Sequence, residues 1–167
     1  YYSAEKKILK ILKKISIDKD LVINICARFK ERNIEEYDFY EKILKKNFTF
    51  SISNKKETQY DICDQSELVV FIDSTLGYEN ISRGNKTVGL SIRGEIINDK
   101  SFNFGWPKPM QSNGPSWISY YDHTLIHKII KYNFDIDSEK WISENFEYVS
   151  DLMKIKKNSK LINGILN

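Results

Sequence analysis

Apolar and polar positions alternate between two periods along this chain. From residue 5 to 15, Ile8, Leu9, Ile11, Leu12 and Ile15 recur at three- and four-residue spacing. Lys6, Lys7, Lys10, Lys13 and Lys14 fill the opposite face, so the segment predicts an amphipathic helix. A basic helix can touch an anionic membrane, but packing on a sheet with the lysines solvated is the expected arrangement. Residues 21–27 (LVINICA) are almost continuously apolar, as in a strand covered on both faces. Residues 34–46 return to helical spacing through Ile34, Tyr37, Phe39, Tyr40, Ile43 and Leu44. Residues 48–52 alternate like a strand, and 58–66 read as a short helix with Tyr60, Ile62 and Cys63 as candidates for its buried side.

The most strand-like run is LVVFI at 68–72. It passes through Asp73, Ser74 and Thr75 into a helix that continues to Arg83, where Gly84 is in position to end it. Residues 87–92 predict another strand, and helices return at about 121–132 and 138–153. Between them, residues 93–117 hold all three prolines and two of the three tryptophans, Trp106 and Trp117, and read as one long ordered loop. The order α-β-α-β-α-β-α-β-loop-α-α predicts an α/β fold. Its expected form is a Rossmann-like three-layer α/β/α domain spanning 1–167, with a mostly parallel sheet. If the strand order is 2-1-3-4, ligands gather where the order reverses, beyond the carboxyl ends of the first and third strands.

Composition narrows the function classes. Lys and Arg number 26 against 23 Asp and Glu, a net charge of +3, which gives no broad electrostatic case for nucleic acid. No run approaches the ~20 apolar residues of a membrane span. Cys26 and Cys63 form no CxxC pair, so neither a disulfide framework nor a cysteine zinc site is expected, and buried thiols in a reducing cytoplasm fit better. The chain starts at Tyr1 rather than Met, and an earlier domain is expected.

Two segments carry candidate chemistry. The turn at 73–77 sends a strand directly into a helix whose free N–H groups suit an anion. There the Ser74 and Thr75 hydroxyls add hydrogen bonds, and Gly77 opens the backbone to a ligand. Glu79 is placed to accept from ribose hydroxyls, with Arg83 one turn further on the same face. Plain alternatives exist: Ser74 as an N-cap, and Glu79 with Arg83 as an i, i+4 ion pair. Arg28 and Lys30 follow the first strand as a second source of positive charge. Neither GxGxxG nor GxxxxGK[ST] is present, which disfavours classical NAD enzymes and P-loop NTPases.

The run from Val69 to Glu79, with Arg83, Gly84, Asn85 and Lys86, resembles the D-S-T-x-G-x-E segment of the C-terminal domain of GT-B-type glycosyltransferase-like proteins. The likeness is to bacterial surface carbohydrate biosynthesis proteins, and it continues through Phe104-Gly105-Trp106 and Gly114-Pro115-Ser116-Trp117. The resemblance implies a domain that holds a nucleotide-sugar donor as substrate, with no separate cofactor. It puts Glu79 at the ribose, Ser74 and Thr75 at the phosphates, and Arg28 or Lys30 at the diphosphate. The acceptor, a saccharide or a lipid-linked one, and the catalytic base would come from an N-terminal domain. Related transferases using CMP-activated sugars carry His-Pro after the first strand. Here Cys26-Ala27-Arg28-Phe29 stands there, which leaves the nucleotide open. A 2-epimerase of the same fold and a non-catalytic docking domain are the rival readings.

Other constellations favour structure. Asp135-Ile136-Asp137 matches DxD but precedes a helix, where capping is the expected role and no metal is needed. His123 and His127 lack the Glu of HExxH, although His123 follows the long loop and could approach a phosphate. Trp106 and Trp117 could stack on a base or sugar, or anchor the loop. The expected setting is cytoplasmic, with a place at the inner membrane face left open.

Overall fold

The computed structural model describes residues 2–27, 34–53, 57–105 and 108–152. The chain forms two compact units, Tyr1–Ser66 and Glu67–Asn167. Both are mixed α/β.

In the first unit, helix α1 (Ser3–Asp18) buries Ile8, Leu9, Ile11 and Ile15 of the predicted stripe together with Ala4, while Leu12 is half-buried. Strand β1 (Ile23–Cys26) pairs in parallel with β2 (Phe48–Ser51), Ile23 opposite Phe48. Helix α2 (Ile34–Leu44) makes the crossover a parallel pair requires. Helix α3 (Gln59–Asp64) opens on a capping box, Thr58 Oγ1 accepting from the Asp61 N–H while Asp61 accepts from the Thr58 N–H. The Gln59 amide donates to the Ala27 carbonyl at 3.1 Å, tying α3 to the end of β1. There the Cys26 thiol is raised well above the usual thiol range, first by its hydrogen bond with Cys63 and then by burial.

The second unit holds a four-stranded sheet in the order β3-β4-β6-β5. β3 (Val69–Phe71), β4 (Thr87–Leu90) and β6 (Trp117–Ile118) are parallel, and β5 (Asn113–Gly114) closes the edge antiparallel to β6. A single sheet of order 2-1-3-4 is therefore not what forms: β1–β2 and β3–β4 belong to separate ladders. Helix α4 (Thr75–Ser82) follows β3, and Gly84 at φ +83° lets the chain turn out of it. Helices α6 (His123–Asp135) and α7 (Ser138–Leu152) complete the unit.

The region 93–117 is not one loop. It contains a short helix α5 (Arg93–Ile97), a 3-10 turn at Lys100–Phe102, and both β5 and β6. Elements of two to five residues span at most about one or two hydrophobic periods, too few here for the pattern to announce them among prolines and polar residues. The core behind them is aromatic: Phe71, Phe104, Trp117 and Trp141 pack with Ile81, and the rings of Phe104 and Trp117 stack at 5.0 Å. Lys86 crosses this unit to donate to the carbonyls of Phe134 and Ile136, both at 2.9 Å, at the carboxyl end of α6.

Candidate functional site

Parallel pairing brings the carboxyl ends of β3, β4 and β6 to one edge of the sheet, where three connections emerge side by side. The first is Asp73-Ser74-Thr75, leading into α4. The second is Ser91-Ile92-Arg93, leading into α5. The third runs from Ser119 to the α6 N-cap, Asp122, whose carboxylate accepts from the Leu125 N–H at 2.9 Å.

Side chains lock the three together. Ser91 Oγ donates to the Ile72 carbonyl at 2.9 Å, and the Arg93 guanidinium forms a short ion pair with Asp73. On the other side, Glu95 accepts from the Tyr121 N–H at 2.6 Å. The short helix α5 thus clasps the β3 connection with Arg93 and the β6 connection with Glu95. Its Arg93 side chain is only 14% exposed, so the guanidinium is held beside the start of α4 with the Asp73 carboxylate as its counter-charge. Behind it, Tyr78 accepts from the Gly105 N–H at 3.0 Å. Burial raises the Tyr78 phenol above its usual value, against the lowering effect of its bonds to Gly105 and Ser91.

The residues singled out from the sequence fare differently. Ser74 occupies the N-cap of α4, yet its hydroxyl makes no cap bond to the helix, and both Ser74 and Thr75 are exposed. Glu79 lies one turn into α4 and is half-buried. His123 is exposed at the first position of α6, on the same sheet edge. Arg83 does not share the site: as the C-cap it stands at the far end of α4, roughly 13 Å along the axis from Ser74. Gly77 does not open the backbone to a ligand. It is buried, and a Cβ built there would fall within the Phe71 ring. Trp117 is 1% exposed, with its Nε1 donating to the Gln111 carbonyl at 2.9 Å, so the ring anchors the region and has no free face for stacking. Arg28, Lys30 and Trp106 lie outside the described residues.

Elsewhere, Asp137 accepts from the Lys140 N–H at 2.8 Å and caps α7, while Asp135 pairs with Lys131 at 2.9 Å. Among the described residues no group of three or more His, Cys, Asp or Glu is arranged to hold a metal ion. Arg93 and Glu95 escaped the sequence reading. Their signal is their position directly after the apolar run 87–92, a third strand end beside the two expected to meet a ligand.

The chain matches, over residues 1–167, the model of a family described as "putative O-antigen biosynthesis protein". It belongs to that family. No curated protein and no solved structure matches it. Membership of the O-antigen biosynthesis family puts the chain in surface polysaccharide synthesis, as the resemblance at 69–86 implied. Among the described residues no helix is long and apolar enough to cross a membrane.

Proposed function

We propose that the second unit binds the nucleotide-sugar donor of a glycosyltransferase in surface polysaccharide biosynthesis, as a Rossmann-like, GT-B C-terminal-type domain acting on the cytoplasmic side. The observation that carries this reading is the β3–α4 turn, where an uncapped Ser74 hydroxyl and an exposed Thr75 stand beside the fixed Arg93 guanidinium. A helix that starts directly after a parallel strand offers free N–H groups and a positive dipole end to a diphosphate. As the glycosidic bond to the nucleotide breaks, negative charge builds on the departing phosphate, and donors already in place stabilise it. In this scheme Arg93 stands nearest the phosphates, whereas Arg83 lies at the far end of α4. Glu79 receives the ribose hydroxyls, and His123 approaches from the β6 connection. Arg28 and Lys30 remain candidates for the diphosphate, and Trp106 for the base or sugar. The acceptor saccharide and catalytic base belong to another part of the enzyme.

The test is calorimetric titration of the chain with UDP, CMP, GDP and dTDP, beside Arg93→Ala and Glu79→Ala. One nucleotide is expected to bind selectively. Each substitution removes a charge-assisted hydrogen bond of ~1.5–3 kcal/mol, a loss of about 10- to 100-fold. A folded chain that binds none of the four, or binds one equally well in both variants, overturns the proposal.

A further inference from the structure

Helix α1 presents a second feature, independent of the donor site. Its apolar stripe is consumed by the core, and the side directly opposite carries Lys6, Lys10, Lys14 and Ile17, spaced to fall in one row roughly 16 Å long. The row meets the end of α2, because the Lys13 ammonium donates to the Ile43 carbonyl at 2.8 Å. Asn47 binds both the Ser16 hydroxyl at 2.9 Å and the Leu21 carbonyl at 3.3 Å, which brings Lys45 and Lys46 to the turn after α1. Lys6, Lys10, Lys14, Lys45 and Lys46 are all exposed, and none makes a side-chain hydrogen bond or ion pair among the described residues.

Two exposed aliphatic side chains flank the turn that follows α1. Ile17 is 62% exposed and Val22 65%. Asp18 and Asp20 lie in the turn between them, and Glu41 on the last turn of α2, so lysine outnumbers acid locally. The excess is specific to this unit: residues 1–66 hold fourteen Lys and Arg against eleven Asp and Glu, while residues 67–167 hold twelve of each.

We infer that this face docks on an anionic phospholipid bilayer, the lysine row against the headgroups and Ile17 with Val22 entering the interfacial zone. Lysines attract a negative surface without needing fixed geometry, whereas nucleic-acid readers favour arginine forks and stacking aromatics. The described part of this face has aliphatic residues in those places. The apolar contribution is small, so attachment is reversible and salt-dependent.

The experiment is co-sedimentation of the full chain with vesicles of phosphatidylcholine alone and with phosphatidylglycerol admixed. Binding only to the anionic vesicles, falling as salt rises, is expected. Lys10→Gln with Lys14→Gln should weaken it roughly 25-fold, at about 5-fold per lysine. Lys45→Gln with Lys46→Gln should do the same, Ile17→Ser should weaken it several-fold without changing the salt dependence, and Lys128→Gln on α6 should change nothing. All these positions are exposed, and circular dichroism verifies that each variant is folded. Equal binding to both vesicle types, or wild-type binding by both lysine double variants, overturns the inference. So does tighter binding to a single-stranded oligonucleotide that ignores Ile17→Ser, which would mark a nucleic-acid surface instead.

Discussion

Gly77→Ala tests whether the missing side chain in the D-S-T-x-G run serves packing or a ligand. Gly77 lies inside α4, where Ala is the better helix former by about 1 kcal/mol. Against that gain stands the Phe71 ring, which occupies the space of the new Cβ. The ring cannot slide away, because Tyr78 meets it edge-on at 5.1 Å and Phe104 flanks it at 6.2 Å. Overpacking a fixed core costs about 1–3 kcal/mol, and complete expulsion of the ring approaches the ~3–5 kcal/mol of a Phe→Ala deletion. Subtracting the helix gain leaves a net destabilisation of about 2 kcal/mol. Urea unfolding followed by tryptophan fluorescence reads this unit selectively, because Trp106, Trp117 and Trp141 all lie beyond residue 66. The decisive comparison is a double-mutant cycle with Phe71→Ala. With the ring removed, Gly77→Ala should become neutral or stabilising by up to ~1 kcal/mol. If Gly77→Ala instead leaves stability intact in the wild-type background and only weakens nucleotide binding, the packing argument is refuted.

Three further outcomes are expected. Lys86→Met should cost about 2 kcal/mol in the same unfolding assay, since it strips two charge-assisted bonds from the carbonyl end of α6. The raised phenol of Tyr78 means the folded unit holds its proton more tightly than the unfolded chain. That contribution is whole below the ordinary tyrosine value of ~10 and is lost as pH climbs through the raised value, so Tyr78→Phe should flatten the fall in stability above about pH 10. Cys26 should react slowly with a disulfide reagent at mildly alkaline pH in the folded chain, at the ordinary rate in denaturant, and at an intermediate rate in Cys63→Ala, because its thiol is held protonated first by Cys63 and then by burial, which that substitution leaves in place.

Local pattern was enough for the elements long enough to show a period. The stripe from Ile8 to Ile15 set α1, the alternation at 48–52 and the apolar run at 68–72 set β2 and β3, and Gly84 ended α4 with its left-handed φ. Asp137 could be read as a cap because capping is decided within one helical turn. The Ser74-Thr75 turn was legible for the same reason: a strand, a polar pair and a helix are adjacent in sequence.

Tertiary structure decided what depends on contacts between distant segments. β6 is two residues long and becomes a strand only because Gly89 and Leu90 of β4 accept it as a partner. Trp117 could have faced a ligand or the core, and its choice rests on Phe104, thirteen positions earlier. Gly77 belongs to the Phe71 ring and not to a ligand, which no spacing rule distinguishes. Arg93 shows the physical reason most plainly. In sequence it is one charge after an apolar run, twenty positions from Asp73. The parallel register of β3 and β4 puts both residues past the same sheet edge, where a low-exposure ion pair fixes the guanidinium beside the start of α4.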